Sequence, residues 1–136
     1  MNVNAVKTGL YDKLAGDATL VGLLASTTSV YDKVAPQGAA LPYVIFQKQA
    51  GSPRYTMGGR AYDDNVYLVK AVTESPSAKV AGQIAERVDA LLTNGSLTLT
   101  TGSLMVMRRE QDVEYEETTD GRTYQHVGAM YLIGVQ

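Results

Sequence analysis

The stretch "VYDKVAPQGAALPYVIFQK", Val30–Lys48, decides how the chain is built. It opens with a short strand pattern at Val30–Asp32, crosses a loop with two prolines and a glycine, and ends in the apolar run Tyr43–Phe46. A run that is apolar on both strand faces is typical of an inner strand, so residues 43–49 are predicted to lie inside a sheet. Pro42 is compatible with this because the first residue of a strand needs no N–H donor.

Two helices are predicted before this stretch. Apolar residues recur at helical spacing over residues 3–15, which predicts an amphipathic helix. Gly16 is predicted to end that helix in the left-handed conformation. Asp17 has the side chain of an N-cap and predicts a second, short helix that follows directly.

A third helix is predicted in "TESPSAKVAGQIAERVDALLTNG", residues 73–95. Ser75 suits the N-cap and Pro76 the first helical position, where a missing N–H costs nothing. Asn94 and Gly95 provide the C-terminal stop. The core stripe repeats at helical spacing and consists of Val80, Ile84, Val88, Leu91 and Leu92.

The remaining segments predict β-structure. Residues 62–73, 97–100, 104–118 and 122–135 are predicted as strands, and 50–61 as a Gly-rich loop or an extended hairpin tip. The Asp-Gly pair at 120–121 is a strong hairpin signal. We therefore expect a single α+β domain over residues 1–136. An antiparallel sheet of four to five strands should have its helices packed on one face.

The amino-acid composition excludes several classes of functional site. The 136 residues carry 12 basic and 14 acidic side chains, one histidine and no cysteine. Disulfides and multi-histidine metal sites are thereby excluded within one chain, and a net charge of -2 does not favour specific nucleic-acid binding. The sequence has no signal-peptide pattern and no apolar run long enough to span a bilayer, so a cytoplasmic protein without membrane contact is expected.

His126 is the residue that invites an enzymatic interpretation. A hydrolytic or small-ligand-binding α+β domain could use it with neighbouring tyrosines, and such a site would lose activity in His126→Ala. No nucleophile motif such as GxSxG accompanies it. We therefore predict no catalytic residue, no cofactor and no metal site.

Two patches of opposite charge are candidate protein-interaction surfaces. The 50–61 segment carries Arg54, Tyr55 and Arg60 and has no acidic residue. Downstream, alternation on a strand should align carboxylates along one face, next to a further acidic residue. These carboxylates are Glu110, Asp112, Glu114 and Glu116, followed by Glu117. Opposite patches on one chain are compatible with head-to-tail association of copies, whereas the simpler explanation of the acidic run is a solvated hairpin face.

The order of these motifs along the chain is similar to that of a known protein family. An N-terminal amphipathic helix, then "AGDATLVGLLAS" at 15–26, then "VYDKVAPQGAALPYVIFQ" resembles the tail completion or tail terminator proteins of long-tailed bacteriophages and prophages. The resemblance extends over nearly the whole chain. It implies a structural virion protein with no catalytic residues.

The same resemblance implies partners and a location. Copies of the chain would form a ring, typically hexameric, that caps the tail tube at its head-proximal end in the virion and then meets the head connector. During assembly the protein would be in the host cytoplasm. Three alternatives remain at this point. One is a head-tail joining adaptor on the connector side, and another is the small-ligand-binding or hydrolytic domain that uses His126. The third is an RNA-binding module that uses the sheet tyrosines with Arg54 and Arg60.

Overall fold

The structure, a computed structural model, describes residues 3–93 and 95–136 apart from the side chain of Arg60. Helices and strands follow in the order ααβββαββ, which confirms the predicted α+β class. The helices are α1 (Val3–Ala15), α2 (Ala18–Leu23) and α3 (Lys79–Leu92). The strands are β1 (Val30–Asp32), β2 (Tyr43–Thr56), β3 (Gly59–Glu74), β4 (Leu104–Thr119) and β5 (Arg122–Val135).

Five strands form one sheet in the order β1-β2-β3-β5-β4. Strand β1 pairs with β2 in parallel, and every other pair is antiparallel. Two long hairpins, β2–β3 and β4–β5, therefore make up most of the sheet. The strand predicted at 97–100 is wrong, because these residues form no ladder. Leu97 and Leu99 instead pack against the core.

All three helices cover the same face of the sheet, as predicted. Val6, Leu10 and Leu14 of α1 are fully buried, as their helical spacing requires. They join one core cluster with alternate residues of the inner strands, which point to a single face because the side-chain period of a strand is two. Among those strand residues are Val44, Phe46, Tyr67, Val69, Ala129, Tyr131 and Ile133. We call the opposite sheet face the open face.

The Val30–Lys48 stretch is confirmed as the entry to the sheet. Val44, Ile45 and Phe46 are all buried. The Val44 N–H donates to the Ser29 carbonyl at 2.9 Å, and the Leu41–Pro42 peptide bond is cis. Strand β2 continues far beyond residue 49, so the 50–61 segment is an extended hairpin tip and not a loop.

The start of α3 differs from the prediction. Its N-cap is Ala78, and Ser75 and Pro76 precede the helix. The cause is the sheet, because the Ser75 N–H donates to the Thr123 carbonyl at 3.0 Å and extends the pairing of β3 with β5. Ser75 Oγ then accepts from the Ser77 N–H at 3.1 Å, a local bond that competes with helix formation. Of the predicted stop residues, Asn94 lies outside the described residues.

The end of α1 was predicted at the right place for the wrong reason. Gly16 is not among the residues with positive φ. Its N–H donates to the Asp12 carbonyl at 2.9 Å, and a Cβ at this position would lie 2.6 Å from the same oxygen. Glycine is needed here for close approach of the backbone. The second helix starts as predicted, with the Asp17 side chain accepting from the Leu20 N–H at 2.8 Å.

Two buried tyrosines that face each other across β3 and β5 offer a matched test of the core. Tyr131 donates to Asp89 Oδ1 at 3.0 Å, whereas the Tyr67 hydroxyl has no hydrogen-bond partner among the described residues. Burial raises the pKa of Tyr67 to about 12, so its hydroxyl stays neutral. Tyr131→Phe should lower the free energy of unfolding by about 1 kcal/mol, while Tyr67→Phe should be neutral or stabilising. Urea denaturation measures both, and equal losses would contradict the assigned hydrogen bond.

Candidate protein-interaction site

The two long hairpins leave the sheet at opposite ends. Strand β5 ends at Val135, opposite Asp63, so the β2–β3 hairpin continues past it without a third strand. We call its last part, residues 55–60, the β2–β3 tip. At the other end β3 stops at Glu74, opposite Tyr124, and the β4–β5 turn at Asp120 and Gly121 extends beyond it. Both turn residues have positive φ, as the Asp-Gly signal predicts.

The predicted basic patch lies at the first of these ends. Arg54 Nε donates to Asp64 Oδ2 at 2.9 Å, so this arginine is partly neutralised by the next strand. Tyr55 is 70% exposed and Met57 is fully exposed, which leaves two large side chains uncovered at the tip. Arg60 belongs to β3, and its side chain lies outside the described part of the chain. The tip therefore displays an aromatic and a thioether side chain next to Arg54 in the sequence.

The predicted acidic face is split by a register shift between Arg109 and Gln111. Glu110 falls at the irregularity and pairs with Arg108 at 3.2 Å, so its alignment with the other carboxylates was wrong. Asp112, Glu114 and Glu116 do alternate along the helix-side face, but Asp112 is paired with Arg109 and Glu116 accepts from Gln125. Glu117 points to the open face. The acidic and basic residues thus lie on different parts of the sheet within one copy.

A row of side chains across four strands was not predicted. On the open face, Tyr43 of β2, Val72 of β3, His126 of β5 and Tyr115 of β4 are consecutive partners. The Tyr115 and His126 rings stack at 4.4 Å between centroids with an angle of 8°. Lys70 Nζ donates to the Tyr115 hydroxyl at 2.6 Å. The row forms only because strands that are distant in sequence pair with each other, so no local sequence motif predicts it.

The geometry around His126 does not fit a catalytic triad. His126 is 7% exposed, and its Nε2 lies 2.8 Å from Glu117 Oε1. Its Nδ1 is buried without a hydrogen-bond partner among the described residues. A triad histidine uses one nitrogen for the carboxylate and the other for the nucleophile, and here the second contact is missing. Burial lowers the pKa of His126, and the bond from His126 lowers the pKa of Glu117, so a neutral imidazole donates to a carboxylate.

This histidine gives a prediction for pH dependence. Because the folded-state pKa of His126 lies below its ordinary value of 6.5, the stability it contributes is complete above pH 6.5 and is lost as the pH falls towards the folded-state pKa. His126→Phe, which keeps a ring against Tyr115, should flatten the free energy of unfolding between about pH 7.5 and about pH 5.5. Urea titrations at several pH values measure the slope. If the free energy of unfolding of the variant still changes with pH to the same extent, the pH dependence must come from other titratable groups.

A groove lies beside this row, at the end of the sheet opposite the β2–β3 tip. It has a volume of about 930 Å³. One wall is the proline-containing loop before β2, and the other is formed by the adjacent ends of β4 and β5. Its apolar lining includes Pro36, Pro42, Tyr43, Val72, Val80 and Tyr124, and its charged lining is Glu74, Glu117 and Arg122. We call it the end groove.

The described residues contain no group of three or more histidine, cysteine, aspartate or glutamate side chains that could hold a metal ion. Within the same part of the chain, no helix is both long and apolar enough to cross a membrane.

Comparisons with known proteins place the chain in a class. The model of the family described as "Tail completion protein gp17" matches residues 8–128. The class is that of structural, non-enzymatic virion proteins, which confirms the prediction that the chain is not an enzyme. More narrowly, the chain belongs to the tail completion protein gp17 family. It is a component of the virion, as the resemblance in the sequence predicted.

Solved structures support the fold. A chain from the structure titled "Virion of native gene transfer agent (GTA) particle" is 19% identical, with a TM-score of 0.82 over 99% of this chain and 98% of that chain. A second structure is 16% identical, with a TM-score of 0.62 over 98% and 96% of the two chains. At these identities the likeness concerns the fold alone. A search of curated proteins finds no match.

Proposed function

We propose that copies of this chain form a ring, hexameric as the sequence resemblance implies, at the head-proximal end of the tail tube. The ring terminates the tube and then docks to the head connector. Membership of the tail completion family carries the proposal. The chain acts as one domain over residues 1–136, and it makes and breaks no covalent bond. A connector-side adaptor is the alternative assignment for the same domain.

The architecture supports this role. A rigid sheet with a hairpin at each end presents two different surfaces, and contacts between different surfaces generate rings when the rotation closes. We assign the contacts to the β2–β3 end, with Arg54, Tyr55 and Arg60, and to strand β4. The acidic residues of β4 are Glu110, Asp112, Glu114, Glu116 and Glu117. Their charges would set register and encounter rate more than affinity.

The decisive measurement is the mass of the protein, free and after incubation with tail tubes. Native mass spectrometry of the free protein and electron microscopy of capped tubes should show a ring in at least one of the two states. If the chain stays monomeric, does not bind tail tubes and binds isolated connectors, the result would favour the assignment as a connector-side adaptor.

Charge reversal tests the assigned surface. Arg54→Glu combined with Arg60→Glu should reduce ring formation. Lys13→Glu is the control, because Lys13 lies on α1, outside both assigned surfaces. Unchanged ring mass in the double variant would remove the β2–β3 end from the contact. An equal loss in the control would show that the effect is not local.

A further inference from the structure

The end groove has a volume and a lining that fit a partly apolar protein segment. Its volume of about 930 Å³ is within the range of roughly 300–1,000 Å³ that holds a compact ligand. Val80 is a large apolar residue that remains 42% exposed at its rim. The prolines and tyrosines of the lining are rigid, so little side-chain freedom would be lost on filling the groove.

The β2–β3 tip has the complementary composition. Tyr55 and Met57 are the uncovered large side chains there, and tyrosine and methionine are enriched at protein interfaces. Residues 50–62 carry two arginines and no acidic side chain. By contrast, the groove is lined by two acidic side chains, Glu74 and Glu117, and by one basic side chain, Arg122. The charges of tip and groove therefore attract each other across two copies.

The two features cannot meet within one copy. Strand β2 begins at the groove with Tyr43 and ends at the tip with Thr56, and its 14 residues span roughly 40 Å. The partner of either feature must therefore belong to another molecule. We infer that the end groove receives the β2–β3 tip of a second copy of this chain, with Tyr55 and Met57 against its apolar lining and Arg54 near Glu74 and Glu117. This inference rests on the proposed ring and specifies the contact that closes it.

Cysteine cross-linking tests the contact directly, because the natural chain has no cysteine. Met57→Cys and Val80→Cys are made as separate single variants at exposed positions. A short bismaleimide is added to each variant alone and to an equal mixture of the two variants. Both experiments are done with the free protein and with the protein bound to tail tubes. Only the mixture should give a cross-linked dimer, and the Met57→Cys, Val80→Cys double variant should give a ladder up to the full ring.

The control mixture combines Met57→Cys with Thr98→Cys, an exposed position away from the groove. Dimer from the groove mixture should exceed dimer from this control at least about tenfold, as expected for a specific contact against random encounter. A ring of full mass without the groove cross-link would overturn this contact and leave the proposed function standing. Absence of both ring and cross-link would overturn the contact together with the ring. Cross-linking of Met57→Cys alone would show tip-to-tip contact and also overturn it.

Discussion

Gly128→Ala should lower the free energy of unfolding by at least about 3 kcal/mol or prevent folding altogether. Gly128 lies on β5 opposite Lys70 of β3. A Cβ there would collide with the Val69 carbonyl oxygen and would lie 2.5 Å from the Lys70 Cα, so backbone and not a movable side-chain end would have to shift. Since the pairing of β3 with β5 joins the two hairpins, the whole sheet would be strained.

Gly82→Ala is the matched control for this variant. Gly82 lies within α3, and a Cβ there would meet no atom within 4 Å. The same change should therefore stabilise the protein by about 0.5–1 kcal/mol, through the higher helix propensity of alanine. Urea denaturation with circular dichroism compares the two variants. A loss of less than about 1 kcal/mol in Gly128→Ala would show that β3 and β5 are farther apart than the structure has them.

Asp17→Ala should produce the second large effect, a loss of about 2 kcal/mol at neutral pH. One carboxylate performs two tasks, because it caps α2 through the Leu20 N–H and accepts two hydrogen bonds from Arg87 of α3, at 2.8 and 2.7 Å. The substitution leaves the first turn of α2 uncapped and the Arg87 guanidinium without its partner. Thermal or urea unfolding measures the loss.

Asp17→Asn separates the two tasks, since asparagine caps helices about as well as aspartate but carries no charge. Its loss should be smaller than that of alanine. The hydrogen bond from Arg87 lowers the pKa of Asp17 below its ordinary value of 3.8. The contribution of Asp17 is therefore complete above that pH and disappears as the pH falls through the folded-state pKa. Equal losses in both variants at neutral pH would mean that the cap contributes nothing.

Local patterns predicted those parts of the fold that depend on neighbouring residues. The spacing of Val6, Leu10 and Leu14 predicted α1, the Tyr43–Phe46 run predicted an inner strand, and the Asp-Gly pair predicted the β4–β5 turn. The start of α3 was wrong because Ser75 has a tertiary partner, the Thr123 carbonyl of a strand that comes much later in the chain. Residues 97–100 have strand composition but pack as an irregular segment against α1 around Gly9.

The candidate site was predicted only in part. The positions of the arginines and carboxylates along the chain follow from the sequence alone. It did not predict the register shift that separates Glu110 from its neighbours, or the pairing of Arg54 with Asp64. The row from Tyr43 to Tyr115 and the end groove arise from strands that are far apart in sequence. Their positions depend on sheet order, and a single sequence contains no periodicity that reports it.

Because the two hairpin ends are far apart, mutations can separate effects on folding from effects on assembly. Sites farther apart than about 7–10 Å and without shared partners usually have additive effects on stability. Substitutions at Met57 in the β2–β3 tip and at Val80 in the end groove should therefore have additive effects on the free energy of unfolding of a single copy. If the same two substitutions fail to add when assembly is measured, the coupling energy must arise between copies. A double-mutant cycle on one chain can thus distinguish folding from assembly without a structure of the assembled particle.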